Sequence, residues 1–243
     1  MKFALVAGKK SEPSPRSRAL CAHCSSEMIA KCGRVKVWHW AHKSRVNCDA
    51  WWENESEWHR NWKIQFPEEW QEVSHLDPVT GERHIADVKT DSGLVVEFQR
   101  SPIAHEELQS RESFYGNMIW IVDGDRGSLD KSYFDMGLTR PLSFEPLVYG
   151  VAWWSQSRLF SNWSASQVPV FLDFGEDCLW RIHSFDNKTK SGYVVPIYKE
   201  WLVANCIQGK PIGAMNGDPS RPEDYRRQWV EIMHPPVPRV DAC

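Results

Sequence analysis

Two carboxylates sit where carboxylates are rarely found. Asp87 lies within Ile85-Ala86-Asp87-Val88 and Glu97 within Val95-Val96-Glu97-Phe98-Gln99, each flanked by side chains that favour burial. Side chains alternate along a strand, so Glu97 and Gln99 share a face, and a hairpin turned at Ser92-Gly93 sets Asp87 beside Glu97. Two acidic groups so placed repel. A divalent cation resolves the conflict: hard oxygen ligands suit Mg²⁺ or Mn²⁺, and such an ion can activate water against a phosphodiester. Glu55 adds a third carboxylate, spaced with Trp51, Trp58 and Trp62 on one face of an expected helix, with His59 one turn on and Lys63 two turns on. The ordinary alternatives are a helix pair of Glu55 with His59 or Lys63, worth ~0.2–0.5 kcal/mol, and a half-solvated sheet edge pairing Asp87 with Lys89 and Glu97 with Arg100.

A second constellation precedes the first. Cys21-Ala22-His23-Cys24 is a C-x-x-C, and His42 and Cys48 follow Cys24 by 18 and 24 residues. Two short hairpins can bring these four around one tetrahedral Zn²⁺. A redox pair would need a thioredoxin-like context, whereas this one lies among Lys and Arg. His39 and Cys32 are the competing ligands, and buried free thiols the alternative to a metal. A structural zinc would stabilise a basic segment too small for its own core, leaving Arg34, Lys36, Lys43 and Arg45 to meet phosphates. Trp38 and Trp40 either stack bases or fill the core around the zinc.

These residues need elements to position them. The pattern predicts a helix over 50–66, stopped by Pro67, then strands over 70–75, 83–90 and 94–99, a helix over 103–115 and a buried strand over 118–122. Further on, strands are expected over 169–184 and 193–198, a helix over 199–207, a loop over 210–224 and a mobile tail from Pro235. Trp153-Trp154, Asp173, Glu176-Asp177 and Trp180 read as a covering layer rather than a partner site. The division expected is 1–49, a zinc-binding basic segment; 50–125, the catalytic core; and 126–243, a C-terminal α+β extension.

Composition sets the bounds. The chain has 243 residues, 42% hydrophobic and 25% charged, which excludes a disordered or collagen-like chain. Net charge is only −3, yet residues 1–63 hold 12 Lys and Arg against 6 Asp and Glu, leaving 17 against 26 for the rest. A polyanion partner would therefore be held by the first quarter, and the mouth of the site is expected to face it. No apolar stretch is long enough for a membrane span or a signal peptide, and a reducing, cytoplasmic setting agrees with clustered, odd-numbered cysteines; Cys178, Cys206 and Cys243 read as incidental.

Taken together, the residues resemble a known family. Cys21-x-x-Cys24, His39-Trp40-Ala41-His42 followed by Cys48, Glu55-Ser56-x-x-His59-x-x-x-Lys63, Asp87 and Glu97-Phe98-Gln99 are similar, in the same order, to the motifs of the competence protein CoiA family, a branch of the PD-(D/E)XK nucleases. The resemblance covers roughly residues 18–125. It implies a restriction-endonuclease-like αβββαβ core, DNA processing in uptake, recombination, repair or defence, and metal-dependent phosphodiester hydrolysis. It further implies Asp87 and Glu97 as metal ligands and Glu55 as the acid completing or orienting the metal shell. Gln99 stands where most of the superfamily has Lys, and the CoiA-like branch resembles this sequence in having Gln. A neutral amide only offers hydrogen bonds, so charge neutralisation falls to the metal, Lys63 or Lys89. His59 and Lys63 join the residues expected to face DNA. The competing readings are a non-cleaving DNA-binding accessory protein and a zinc-stabilised protein-interaction module.

Overall fold

The computed structural model describes residues 1–44, 48–51, 55–127, 129–144 and 147–212. Arg45, most of the 210–224 loop and the tail from Pro235 lie outside the described residues. The chain divides into two units, Met1–Trp120 and Ile121–Cys243.

The first unit begins with a small antiparallel sheet. Its strands β1 (Ala4–Val6), β2 (Lys9–Ser11), β3 (Arg18–Leu20), β4 (Glu27–Lys31) and β5 (His39–His42) are ordered β2-β1-β3-β4-β5. Strands of three to five residues bury little, and the core they share is correspondingly slight: Met1, Ala4, Ala19, Cys21, Met28 and Trp40. Trp40 is 1% exposed, with its indole N–H on the Ser11 carbonyl at 2.9 Å. Trp38 is the exposed one of the pair. The sequence suggested two hairpins here; the two extra strands β1 and β2 come from a start too short and too lysine-rich to read as sheet.

Beyond this sheet the elements run α1 (Glu57–Lys63), β6 (Gln71–Leu76), β7 (Arg83–Lys89), β8 (Val95–Gln99), α2 (His105–Tyr115) and β9 (Met118–Asp123). That is the expected order of helix, three strands, helix and strand. β6, β7 and β8 form an antiparallel meander, and β9 lies on the other side of β8. All residues of β8 and β9 are buried, as the unbroken apolar runs require.

The helix expected over 50–66 is shorter, and the reason is local. The Ser56 side chain caps the backbone N–H of His59, and the His59 ring returns a bond to the Ser56 backbone, a capping box with His in the place of Glu. The cap excludes Glu55 and Trp51 from α1, so Glu55 precedes the helix instead of riding on its tryptophan face. Trp51 lies in a turn, stacked on His84 at 3.3 Å between ring centroids.

In the second unit, α3 (Asp130–Gly137), β10 (Leu138–Phe144), β11 (Leu147–Ala152), α4 (Leu159–Trp163), β12 (Val170–Asp173), β13 (Cys178–Asp186), β14 (Ser191–Tyr198) and α5 (Lys199–Ile207) follow. The strand order is β10-β11-β14-β13-β12. The single strand expected over 169–184 is broken at Gly175, whose φ of +82° makes a turn that a strand cannot carry. Helix α5 has its predicted bounds. The whole is a mixed α/β protein with a Cys/His cluster near its start.

Candidate metal centres

Cys21 and Cys24 occupy the turn between β3 and β4, His42 ends β5, and Cys48 follows it. The turn is drawn tight by two backbone bonds, Cys21 N–H to the Ser26 carbonyl and Ser25 N–H to the Cys21 carbonyl, both 2.9 Å. The four ligand atoms lie within 4.8 Å of one another. Cys21 Sγ is 3.6 Å from Cys48 Sγ, and Cys24 Sγ is 3.3 Å from His42 Nε2. A tetrahedral Zn²⁺ with bonds of about 2.3 Å to sulfur and about 2.0 Å to nitrogen requires S···S and S···N edges of about 3.8 and about 3.5 Å, so the donors already stand close to those positions. Burial alone would raise the Cys24 thiol, but hydrogen bonds from Ser26 and contacts with Cys48 and His42 bring it down to about 6. Cys48 is pushed well up by burial and its neighbouring thiols. A soft-donor set of three Cys and one His suits a closed zinc site. The competitors are elsewhere: His39 Nδ1 pairs with the Val37 carbonyl, and Cys32 is not in the cluster.

The second centre is built on the β7–β8 hairpin. Val88 faces Val96 and Lys89 faces Val95, which puts Asp87 directly opposite Glu97. There the regular ladder stops and the carboxylates replace it: the Asp87 N–H donates to Glu97 Oε1 and the Phe98 N–H to Asp87 Oδ2, each at 3.0 Å. Each acid thus caps the other's strand and is fixed in place. Burial, then the nearby Asp87 charge, push the Glu97 carboxyl up to about 8, against the pull of Arg111. Arg111 Nη1 of α2 lies 3.3 Å from Glu97 Oε2, and its Nη2 donates to the Trp51 carbonyl at 2.6 Å.

Lys63 enters from the end of α1. Its Nζ is 2.9 Å from Asp87 Oδ1, 3.2 Å from Glu72 Oε1 and 3.5 Å from Glu55 Oε1. Burial disfavours its charge, but Asp87, Glu72 and Glu55 outweigh that and hold it ionised well above the ordinary lysine range. Glu55 is 4% exposed at its side chain and lines the same cavity; among the described residues its oxygens have no hydrogen-bond partner, but they lie 3.9 Å from the Met1 ammonium and 3.7 Å from Arg60 Nε. Glu55, His59, Lys63, Glu72, Asp87, Glu97 and Arg111 all line this one pocket.

The placements of the predicted residues follow from this. Glu55, Asp87 and Glu97 converge. His59 and Lys63, expected to face DNA, are buried in the pocket wall. Gln99 does not line the pocket; its amide donates to the Ser101 carbonyl at 3.0 Å. The sheet-edge pairing of Asp87 with Lys89 is replaced by Lys63, since Lys89 Nζ meets His75 at 3.0 Å, and Glu97 pairs with Arg111 rather than Arg100. Arg34 and Lys36 are exposed between β4 and β5, while Lys43 is exposed and paired with Glu27.

Glu72 and Arg111 were not foreseen. Glu72 holds φ at +50° inside a strand, a strained conformation for a non-glycine residue. Its carboxylate accepts the backbone N–H groups of Lys2 and Phe3 at 2.7 and 2.9 Å, tying the segment just before β1 to the pocket. Burial would raise its carboxyl, yet Lys63 and these donors hold it down at about 2. A carboxylate lowered from 4.5 to about 2 contributes stability above the ordinary value that is lost as pH falls toward 2, on the order of 3 kcal/mol. Denaturant unfolding measured between pH 5 and 2 is therefore expected to show a shallower acid limb in Glu72→Gln than in the wild type; parallel limbs would contradict it.

The geometry defines a small β segment whose Cys/His cluster could hold a metal, beside an acidic pocket on a mixed sheet. Residues 12–50, which carry β3 to β5 and all four soft ligands, match the family of the competence protein CoiA N-terminal domain. The likeness to the CoiA-like proteins is thereby shown for this segment. No curated protein and no solved structure matches the chain.

Proposed function

We propose that the protein is a divalent-metal-dependent deoxyribonuclease with a restriction-endonuclease-like core and a structural zinc, serving competence-type DNA uptake and recombination, repair or defence. The observation that carries this is the in-register, mutually capped pair Asp87 and Glu97, with Glu55 beyond them. The donors are hard oxygens from separate elements, and among the described residues the Glu55 oxygens have ion-pair neighbours but no hydrogen bond, which fits Mg²⁺ or Mn²⁺. Bound there, such an ion supplies Lewis-acid polarisation of the phosphate and acidification of water.

The chain's own groups do the rest. Asp87 and Glu97 are fixed by backbone donors and keep their spacing as charge changes. Lys63, held ionised by three carboxylates at the pocket wall, supplies the positive charge that Gln99 lacks. Arg111 steadies Glu97. Arg34 and Lys36, exposed on the CoiA-like segment, offer charge to the DNA backbone.

A second reading, a DNA-binding accessory protein that does not cut, is favoured by one observation: Gln99, at the position usually given to Lys, turns to the Ser101 carbonyl rather than the pocket. The test separating the two is cleavage of labelled DNA with Mg²⁺ or Mn²⁺ by the wild type and by Asp87→Ala.

A further inference from the structure

The second unit holds a cleft that the nuclease reading does not use. It lies between the segment leading from β11 into α4 and the turn joining β13 to β14. Trp153 fixes that segment: its side chain is 1% exposed, its indole N–H donates to the Ser157 carbonyl at 3.0 Å, and its backbone N–H donates to the Lys190 carbonyl at 2.8 Å. Neighbouring side chains in extended backbone point to opposite sides, so burying Trp153 turns Trp154 outward. Trp154 is 66% exposed at the mouth of the cleft.

The charges around it share one sign. Arg158 and Lys190 are exposed and line the same cleft, with Asn162 and Asn187 beside them, and among the described residues none of the lining side chains is acidic. In a chain with 32 Asp and Glu against 29 Lys and Arg, an acid-free concavity with two cations is a local reversal. The nearest turn acid, Asp186, accepts the Lys188 N–H at 2.7 Å. Lys190 holds φ at +55°, a strained position kept by the bond its carbonyl accepts from Trp153. An exposed indole on a pinned backbone, beside two cations and two amides, matches an anion carrying a flat π-system. A neutral sugar would gain nothing from the two cations.

We propose that this cleft binds single-stranded nucleic acid, one base stacking on Trp154 and the adjoining phosphate meeting Arg158 and Lys190. The proposal goes beyond the nuclease reading and does not require cleavage.

The test is fluorescence anisotropy of a labelled six-nucleotide oligothymidylate with the full chain, without added divalent ion so that cutting plays no part. Trp154→Ala is expected to weaken binding about five- to a hundredfold, and the double variant Arg158→Gln, Lys190→Gln to weaken it and flatten the dependence of log affinity on log salt by about 1 to 2. Because all three side chains are exposed, melting temperatures should match the wild type, which separates lost contact from lost fold. Unchanged affinity in either variant overturns the proposal, whether or not the chain cuts DNA. So does a change in sedimentation of the free chain on Trp154→Ala, which would make the cleft an interface between copies. A chain that never cuts yet binds through Trp154 leaves the proposal standing and removes only the nuclease reading.

Discussion

Stripping the Cys/His cluster of metal, or replacing Cys24 by Ser, is expected to unfold the small N-terminal sheet. Its five strands are three to five residues long and share only a slight core. A structural zinc contributes apparent binding free energy of about 10–16 kcal/mol, comparable with or greater than the ~5–15 kcal/mol that stabilises a whole domain. The loss should spread, because the chain leaving Cys48 is tied to the acidic pocket. The Asp49 carboxylate accepts the Ile85 N–H at 2.8 Å and meets His84 Nδ1 at 2.8 Å, while the Trp51 carbonyl holds Arg111, the partner of Glu97. We expect one zinc per chain by elemental analysis, and a strong chelator to abolish the cooperative melt of the first unit. A chain that binds no zinc and melts unchanged with chelator would contradict this.

Lys63→Met is expected to destabilise the protein by about 3–5 kcal/mol, the cost of leaving buried charges uncompensated. The ammonium lies within 3.5 Å of Asp87, Glu72 and Glu55, and both Glu side chains are almost fully buried. A methionine fills the volume but leaves three carboxylates facing one another. The signature that separates this from a packing defect is non-additivity: Asp87→Asn should cost less in the Lys63→Met background than in the wild type, because it then relieves repulsion. Denaturant unfolding of the four proteins gives the coupling directly. Additive effects would mean that Lys63 does not balance these charges.

The sequence made the acidic hairpin legible because its signals are local. Alternation placed Asp87 and Glu97, the turn residues at Ser92-Gly93 fixed the register, and both carboxylates stood out against apolar neighbours. The Cys/His cluster was legible through spacing, and the structure brings together the same four side chains, Cys21, Cys24, His42 and Cys48. What stayed hidden depends on the third dimension. Ser56 competes with the helix for backbone donors, so the periodicity of Trp51, Glu55, Trp58 and Trp62 overstated α1. Arg111 lies in a helix as polar as any surface helix, and nothing in its order marks one arginine as buried. Glu72 acts through a strained φ that no composition reports, although a glutamate opposite Asp87 in a strand pair was a signal that could have been weighed. In the second unit α3, β10, β11 and α4 escaped, since short elements broken by Pro141, Gly150 and serines carry no sustained period.

The most direct measurement is cleavage of labelled single-stranded and double-stranded DNA by the zinc-loaded chain with Mg²⁺ or Mn²⁺, beside Asp87→Ala and a reaction without divalent ion. Loss of a carboxylate that holds the ion removes several kcal/mol of transition-state stabilisation, so the variant should cut at least about a thousandfold more slowly. Strand scission is expected to require the divalent ion and to vanish in Asp87→Ala. Wild type and variant binding DNA alike while neither cuts would contradict it and leave a DNA-binding accessory protein.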